Sequence, residues 1–283
     1  MSKEFIIRGM TEDEVVNVAV EWAAAEGWNP GLSDGHCFYS TDKNGFFIGI
    51  LDGEPIACIS AVAYDSDFGF LGFYIVKPEY RGKGYGLQIW NAATDYLKEH
   101  NTALDGVVEQ QHNYKKSGFR LAYNNIRYAG KSAKSNETFG NIIPLNDVSF
   151  EEILHYDLKL FPASRPAFLK CWAQIPGSVS LASVGNNSIT GYCVLRECRN
   201  GYKFGPLFAD DADISNKLFL SACNLLDKDT AVYLDTPEVN PEAVSLAESY
   251  GMTKVFQTAR MYTKSQPEIN INKIFGLTTF ELG

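Results

Sequence analysis

The sequence predicts a two-domain α/β protein whose second half repeats the order of elements of the first. Three observations predict it. The chain has 283 residues, more than one hydrophobic core usually organises. A small, polar stretch without apolar periodicity, Gly130 to Gly140 (GKSAKSNETFG), divides it near the middle. On either side of it, helix-period and strand-period segments follow one another in the same sequence. The expected division is residues 1–132, a linker at 133–146, and residues 147–283.

In the first half a helical stretch runs from Thr11 to Ala25. Strands follow at Gly45–Leu51 and Pro55–Tyr64, and the Asp52-Gly53 between them is a hairpin signal. A third apolar strand, Phe68–Val76, enters a glycine-rich turn and a helix from about Leu87 to Lys98, apolar on one face at Ile89, Trp90, Ala93 and Leu97. A strand at Gly106–Gln110, a short segment ending in Gly118-Phe119, and a strand at Leu121–Tyr128 complete this half. The second half reads alike. Ser178–Val184 and Ile189–Arg196 flank a turn at Gly185-Asn186-Asn187, and Tyr202–Phe208 leads to a helix at Ile214–Leu226. Then come a strand at Ala231–Asp235, a helix begun at Pro241, which suits a first-turn position, and a strand at Val255–Tyr262.

Composition narrows the function. At 45% hydrophobic and 13% aromatic the chain has material for ordinary cores, and its apolar runs are too short to span a bilayer. The net charge of −9 is spread evenly, without the basic face of a nucleic-acid binder. The N-terminus lacks an apolar signal segment, and the six cysteines form no CxxC pair; most sit in apolar runs as small buried hydrophobes. The expectation is a cytoplasmic protein, reduced, monomeric or homodimeric, with no membrane or nucleic-acid partner. His36, His100, His112 and His155 show no metal-ligand spacing, so no metal is expected.

The chemistry lies in Pro78-Glu79-Tyr80-Arg81-Gly82-Lys83-Gly84-Tyr85-Gly86, between a strand and an amphipathic helix. Three glycines at alternate positions let backbone N–H groups point into one concavity at a helix N-terminus, where unpaired donors and the dipole favour a phosphate or pyrophosphate. Arg81 and Lys83 add positive charge at its rim. Gly82-Lys83 is followed by glycine, which fails the Walker A pattern, and G-x-G-x-G fails the dinucleotide fingerprint.

The run does match R-x-x-G-x-G, and with its lead-in Tyr74-Ile75-Val76-Lys77 it resembles the acyl-CoA loop of the GNAT acetyltransferase superfamily. That resemblance covers residues 5–130 and implies an α+β mixed, mostly antiparallel sheet flanked by helices, in which two strands splay into a cleft. Acetyl-CoA, as acyl donor, would lie there with its pantetheine against Tyr74, Ile75 and Val76 and its pyrophosphate on Arg81, Gly82, Lys83, Gly84, Tyr85 and Gly86. A backbone N–H at the splay would polarise the thioester carbonyl. Tyr114, four residues before Gly118-Phe119, matches the family's general acid for the departing thiolate. For the general base the first candidate is Glu109, followed by Asp65 and Asp67.

In the second half the corresponding turn, Gly205 to Asp213, has no R-x-x-G-x-G and carries three aspartates that would repel phosphate; Ala247 stands where the tyrosine would be. The whole chain therefore resembles a tandem-GNAT group with one working and one degenerate copy. Matching segments include Trp28 to Gly31, Gly205 to Asp210, Leu234 to Glu238 and Ala259 to Met261. Trp28 and Asp34, before the first strand, fall where such proteins build an acceptor loop, and Asp34 is a candidate partner for a substrate ammonium. Arg196 and Arg260 read as structural ion pairs or carboxylate binders. The expected activity is acetyl transfer to a primary amine of a small molecule, direct and in a ternary complex; the alternative is a non-catalytic acyl-CoA sensor or scaffold.

Overall fold

Thirteen strands form one continuous mixed sheet in a computed structural model that describes residues 4–65, 67–186 and 188–283. Met1–Lys3, Ser66 and Asn187, the last in the second predicted hairpin turn, lie outside the described residues. The chain opens with β1 (Phe5–Gly9) and a helical segment α1 over 12–25, π-wound at Val15–Val20. Thr11 and Glu14 close a capping box at its start. After α2 (Asp34–Thr41) come β2 (Phe46–Leu51) and β3 (Glu54–Tyr64), joined through Asp52 at φ 51° and Gly53 at φ 86°. Both central residues are left-handed, the turn that Asp-Gly favours. Then follow β4 (Phe68–Val76), α3 (Tyr85–Tyr96), β5 (Asn101–Val107), α4 (Gln111–Lys116) and β6 (Arg120–Lys131).

Residues 132–141 carry no helix or strand. The second half contains β7 (Ile142–Pro144), α5 (Phe150–Asp157), α6 (Pro166–Trp172), β8 (Val179–Gly185), β9 (Ser188–Glu197) and β10 (Tyr202–Ala209). It ends with α7 (Ala212–Asn224), β11 (Ala231–Pro237), α8 (Pro241–Ser249), β12 (Thr253–Tyr262) and the short β13 (Ile274–Gly276).

The strand order is β1-β2-β3-β4-β5-β12-β6-β11-β10-β9-β8-β7, with β13 on β10. Among the described residues, only β4–β5 and β10–β11 pair in parallel. The two halves thus exchange their last long strands: β12 lies beside β5, and β6 beside β11. Two buried ion pairs mark the exchange. Arg260 on β12 stands in register with Asp105 on β5, its guanidinium holding that carboxylate at 2.6 and 2.7 Å. Arg127 on β6 stands in register with Asp235 on β11 and donates to both oxygens at 2.7 Å. A buried charge without its partner costs about 3–5 kcal/mol, so each arginine suits only the strand it has.

Alternate residues of one strand feed different cores. On β3, Ala57, Ile59 and Ala61 join the cluster under α3, while Cys58 and Val62 join one shared by α1, α2, α5 and α6. A third cluster lies under α7 and α8. Being buried on both faces explains why β3 reads as a continuous apolar run.

Three expectations change. The strand expected at Gly106–Gln110 begins five residues earlier, because Asp105, which interrupts the apolar pattern, is buried with Arg260. The cysteines are not all thiols: Cys37 on α2 and Cys171 on α6 form a disulfide. Packing of these helices brings their Cα atoms to 5.4 Å across a separation of 134 residues, which linear spacing cannot show. The residues from Gly130 are not all linker, since Gly130 and Lys131 finish β6 and Lys134 caps carbonyls at the end of α7, donating to that of Asn224 at 3.0 Å.

Candidate active site

β4 and β5 hold together only from Phe68 to Leu71 and from Asn101 to Leu104. Beyond that, β5 turns to β12 and the remainder of β4, Gly72–Val76, faces a cleft. A bulge marks the point of departure: the β3–β4 register shifts between Ser60↔Gly72 and Cys58↔Ile75, and Phe73 within it takes φ 46°. A left-handed phenylalanine inside a strand costs about 1–3 kcal/mol, and strain of this kind collects at functional sites. The Phe73 carbonyl accepts from the Cys58 thiol at 3.2 Å, and its ring packs on Phe38.

At the mouth of the cleft, Pro78–Tyr80 forms one 3-10 turn and Arg81 is extended. Gly82 at φ 75° and Gly84 at φ 87° are left-handed, and a Cβ on either would meet no atom within 4 Å. The backbone, rather than crowding, demands glycine here, and the concavity stays open. Gly84 is the N-cap of α3 with no side-chain cap, so the first-turn N–H groups have no acceptor within the helix. Gly86 packs tightly, since a Cβ there would lie 2.7 Å from the Tyr74 hydroxyl. Arg81 is anchored: its Nε donates to the Val76 carbonyl at 2.7 Å and its guanidinium pairs with Glu26. Lys83 extends over the Tyr80 ring. Tyr85 packs against Phe5 at the start of the helix.

From this loop a cavity of about 570 Å³ runs inward along β4. That volume is ordinary for a small-molecule or cofactor site. Tyr74, Ile75, Val76, Arg81, Gly82, Gly84 and Gly86 line it, together with Trp90 of α3 and Tyr114 of α4. Tyr114 stacks on Trp90 with centroids 5.6 Å apart and is 8% exposed. It lies directly over Gly106, whose Cβ would fall 2.1 Å from a ring carbon. Burial raises the pKa of the phenol above its usual value, so it keeps its proton at neutral pH. We expect Gly106→Ala to push this ring off Trp90, costing about 1–3 kcal/mol of stability by overpacking and much of the turnover; denaturant melts and rate assays check both.

The expected site residues do not all converge here. Trp28 lines the cavity, and its carbonyl accepts from Arg127 at 2.5 Å. Asp34 is 1% exposed and engaged by Arg196 at 2.9 and 3.2 Å and by the Gly31 N–H at 2.8 Å, leaving it no freedom to meet a substrate ammonium. The same bonds place Arg196 in a structural pair, and Arg260 is spent on Asp105. Glu109 is exposed on the turn after β5 and outside the lining, although Val107 and Gln110 belong to it. Asp65 and Asp67 sit exposed at the opposite end of β4.

The second half supplies walls that its broken motifs did not announce. Phe256 and Thr258 of β12, and Phe280 and Glu281 of the C-terminal segment, line the cavity. A single acid in the apolar run Phe280-Glu281-Leu282 was the one sequence signal for this. The half's own cleft is closed. The N-terminus of α7 is capped by the Asp211 carboxylate, which accepts from the Ile214 N–H at 2.8 Å, and Asp210 takes Tyr156 and Lys273. Where β10 leaves β11 after Phe204, β13 pairs with β10, and the Leu277 N–H donates to the Asp235 carbonyl of β11.

Both halves resemble known acetyltransferase domains. Residues 13–119 match the model of the acetyltransferase (GNAT) family, and residues 153–276 that of an acetyltransferase (GNAT) domain. The chain is 31% identical over 274 residues to a holothin acyltransferase of Pseudoalteromonas sp. (strain SANK 73390), covering 97% of this chain and 92% of that protein. A putative acetyltransferase from Pyrococcus horikoshii has the same fold, with a TM-score of 0.83 at 21% identity, covering 99% of this chain and 96% of the other. A tandem GNAT protein from the clavulanic acid biosynthesis pathway superposes with a TM-score of 0.64 at 10% identity over 93% of this chain and all of that one (100%).

Proposed function

Because the chain belongs to the GNAT acetyltransferase family, we propose that it transfers the acetyl group of acetyl-CoA to a primary amine of a small molecule, directly and within a ternary complex. One observation carries the reading. The open, glycine-lined concavity at Arg81–Gly86 and the buried phenol of Tyr114, whose pKa is raised, line one cavity. The concavity fits a diphosphate, since unpaired N–H groups meet there and no side chain fills it. Gly82, Lys83, Gly84, Tyr85 and Gly86 would hold that end of the donor, and Tyr74, Ile75 and Val76 the arm beside β4. The bound donor supplies an activated thioester. Tyr114 supplies the proton that the departing sulfur needs, and the bulged backbone at Gly72–Phe73 offers the carbonyl oxygen its donors.

Two further features support direct transfer to a small amine. The free cysteines Cys58, Cys193, Cys198 and Cys223 are all buried and none lines the cavity, so no thiol stands ready to take the acetyl group. The relative at 31% identity is likewise named an acyltransferase, acting on holothin. The test couples calorimetry with CoA to a thiol-release assay over a panel of primary amines. CoA binding with amine-dependent thiol release is the expected result. Failure of CoA to bind would overturn the cofactor assignment, and binding without release on any amine would overturn the acceptor class.

A further inference from the structure

Besides Glu281, two carboxylates line the cavity, and both are committed. Glu26 pairs with Arg81, and Asp105 is held by Arg260 and by the Asn125 amide at 2.7 Å. Glu281 differs. It is 3% exposed, its Oε1 is enclosed with no hydrogen-bond partner, and among the described residues no donor reaches its carboxylate. Leaving a buried acceptor unpaired costs about 1–3 kcal/mol, more when it is charged, so the position is expensive and needs a reason.

Its placement offers one. After filling the cleft of the second half with β13, the C-terminal segment passes Gly205, where a Cβ would lie 2.1 Å from the Thr278 carbonyl. It then reaches Gly72, where a Cβ would lie 2.0 Å from the carbonyl of Glu281 itself. Gly72 is the first residue of β4 beyond its pairing with β5, the apex of the working cleft. The chain therefore sets the Glu281 backbone against the residue at which β4 leaves β5, and Glu281, whose carboxylate has no hydrogen-bond donor among the described residues, is one of the residues lining the cleft. That cavity also contains the Tyr114 phenol.

We propose that Glu281 is the proton acceptor for the amine, an inference that rests on the transferase reading above. Its carboxylate accepts a hydrogen bond from the incoming ammonium and takes one proton, leaving a neutral nitrogen. That nitrogen forms the C–N bond with the thioester carbon, and the C–S bond breaks as the Tyr114 proton passes to sulfur. The second nitrogen proton restores the phenol through water, and Glu281 returns its own to solvent. The balance is one ammonium and one thioester consumed, with one amide, one thiol and one proton released.

The surroundings raise the pKa of this carboxyl above the ordinary glutamate value. Burial is the largest influence and raises its proton affinity, and Asp34 of α2 acts in the same direction. Lys203 of β10, Arg127 of β6 and Arg196 of β9 oppose it. Arg127 holds Asp235 and Arg196 holds Asp34, whereas the Lys203 ammonium, whose Nζ donates to the neutral Asn29 carbonyl at 2.8 Å, opposes the shift most strongly without hydrogen-bonding to the carboxylate.

Glu281→Gln preserves shape and removes the base. In the thiol-release assay with primary alkylamines its kcat/KM should fall about 10²-fold, the low end for positioned proton transfer. CoA affinity by calorimetry should stay within twofold. Wild type should lose kcat/KM as pH falls through the raised pKa of Glu281, because the base must be ionised; the variant should lack that limb, and Glu281→Asp should recover part of it. Thermal stability should be unchanged or higher in Glu281→Gln, since an unpaired buried charge is gone; a merely structural carboxylate would give a loss. An unchanged rate and pH profile in the variant overturns the proposal, whereas absence of CoA binding in wild type overturns the function instead. If no amine in the panel is turned over, pH-difference infrared spectra of the protein alone decide. A carboxyl band that titrates above the ordinary glutamate range and vanishes in Glu281→Gln upholds the assignment. A band titrating in the ordinary range overturns it.

Discussion

Gly84→Asp abolishes binding of CoA while leaving the fold intact. At φ 87° the new residue pays about 1 kcal/mol for a left-handed backbone that aspartate tolerates better than most residues, and its Cβ meets no atom within 4 Å. Its carboxylate then lies at the N-cap of α3 and takes the free first-turn N–H groups for itself. The protein already shows this outcome at α7, where Asp211 accepts from the Ile214 N–H. A filled nest and a like charge together should weaken CoA by more than about 10³-fold, roughly 4 kcal/mol. Calorimetry reads the affinity and circular dichroism the fold. Retention of affinity within tenfold of wild type would remove the pyrophosphate from this loop.

Tyr114→Phe lowers turnover about 10³-fold and leaves CoA affinity within threefold. The phenyl ring keeps its stack on Trp90 and its seat on Gly106, so little packing is lost. Only the hydroxyl goes, and the ring of Tyr114 remains among the residues lining the cavity. The folded-state pKa is raised by burial, so the proton is fully present through neutral pH and is lost only as pH climbs past the usual tyrosine range. Proton donation to a leaving group is worth about 10²–10⁴-fold, which sets the size of the effect. Single-turnover thiol release separates this chemical step from binding and product release. A rate equal to wild type would take Tyr114 out of the reaction.

Much of the fold was legible because its signals are local. Asp52-Gly53 between two apolar runs announces a hairpin, and Pro241 after the side-chain cap Asn240 announces a helix start. The shape of the loop Arg81–Gly86 was legible for the same reason: it is written in backbone conformation, and only glycine gives that conformation cheaply. What stayed hidden depends on partners distant in sequence. Asp34 looks like a free acid until Arg196, 162 residues away, is placed beside it. Glu109 lies five residues before Tyr114 along the chain, yet it is outside the cavity, which Glu281 from the far end of the sequence lines. Asp105 hid a strand because a charge in an apolar run argues against burial unless its arginine is known.

The exchanged strands bear on how such a chain can change. A tandem repeat of independent units can shed a redundant copy by deletion once that copy has lost its ligand. Here the second half owns the strand that completes the sheet beside β5 and the guanidinium that neutralises Asp105. Cutting it away would bare a strand edge and an acid in the wall of the working cavity. The second half is therefore bound into the architecture of the first: whatever its own turn can hold, its last strand answers to the cavity that it helps to wall.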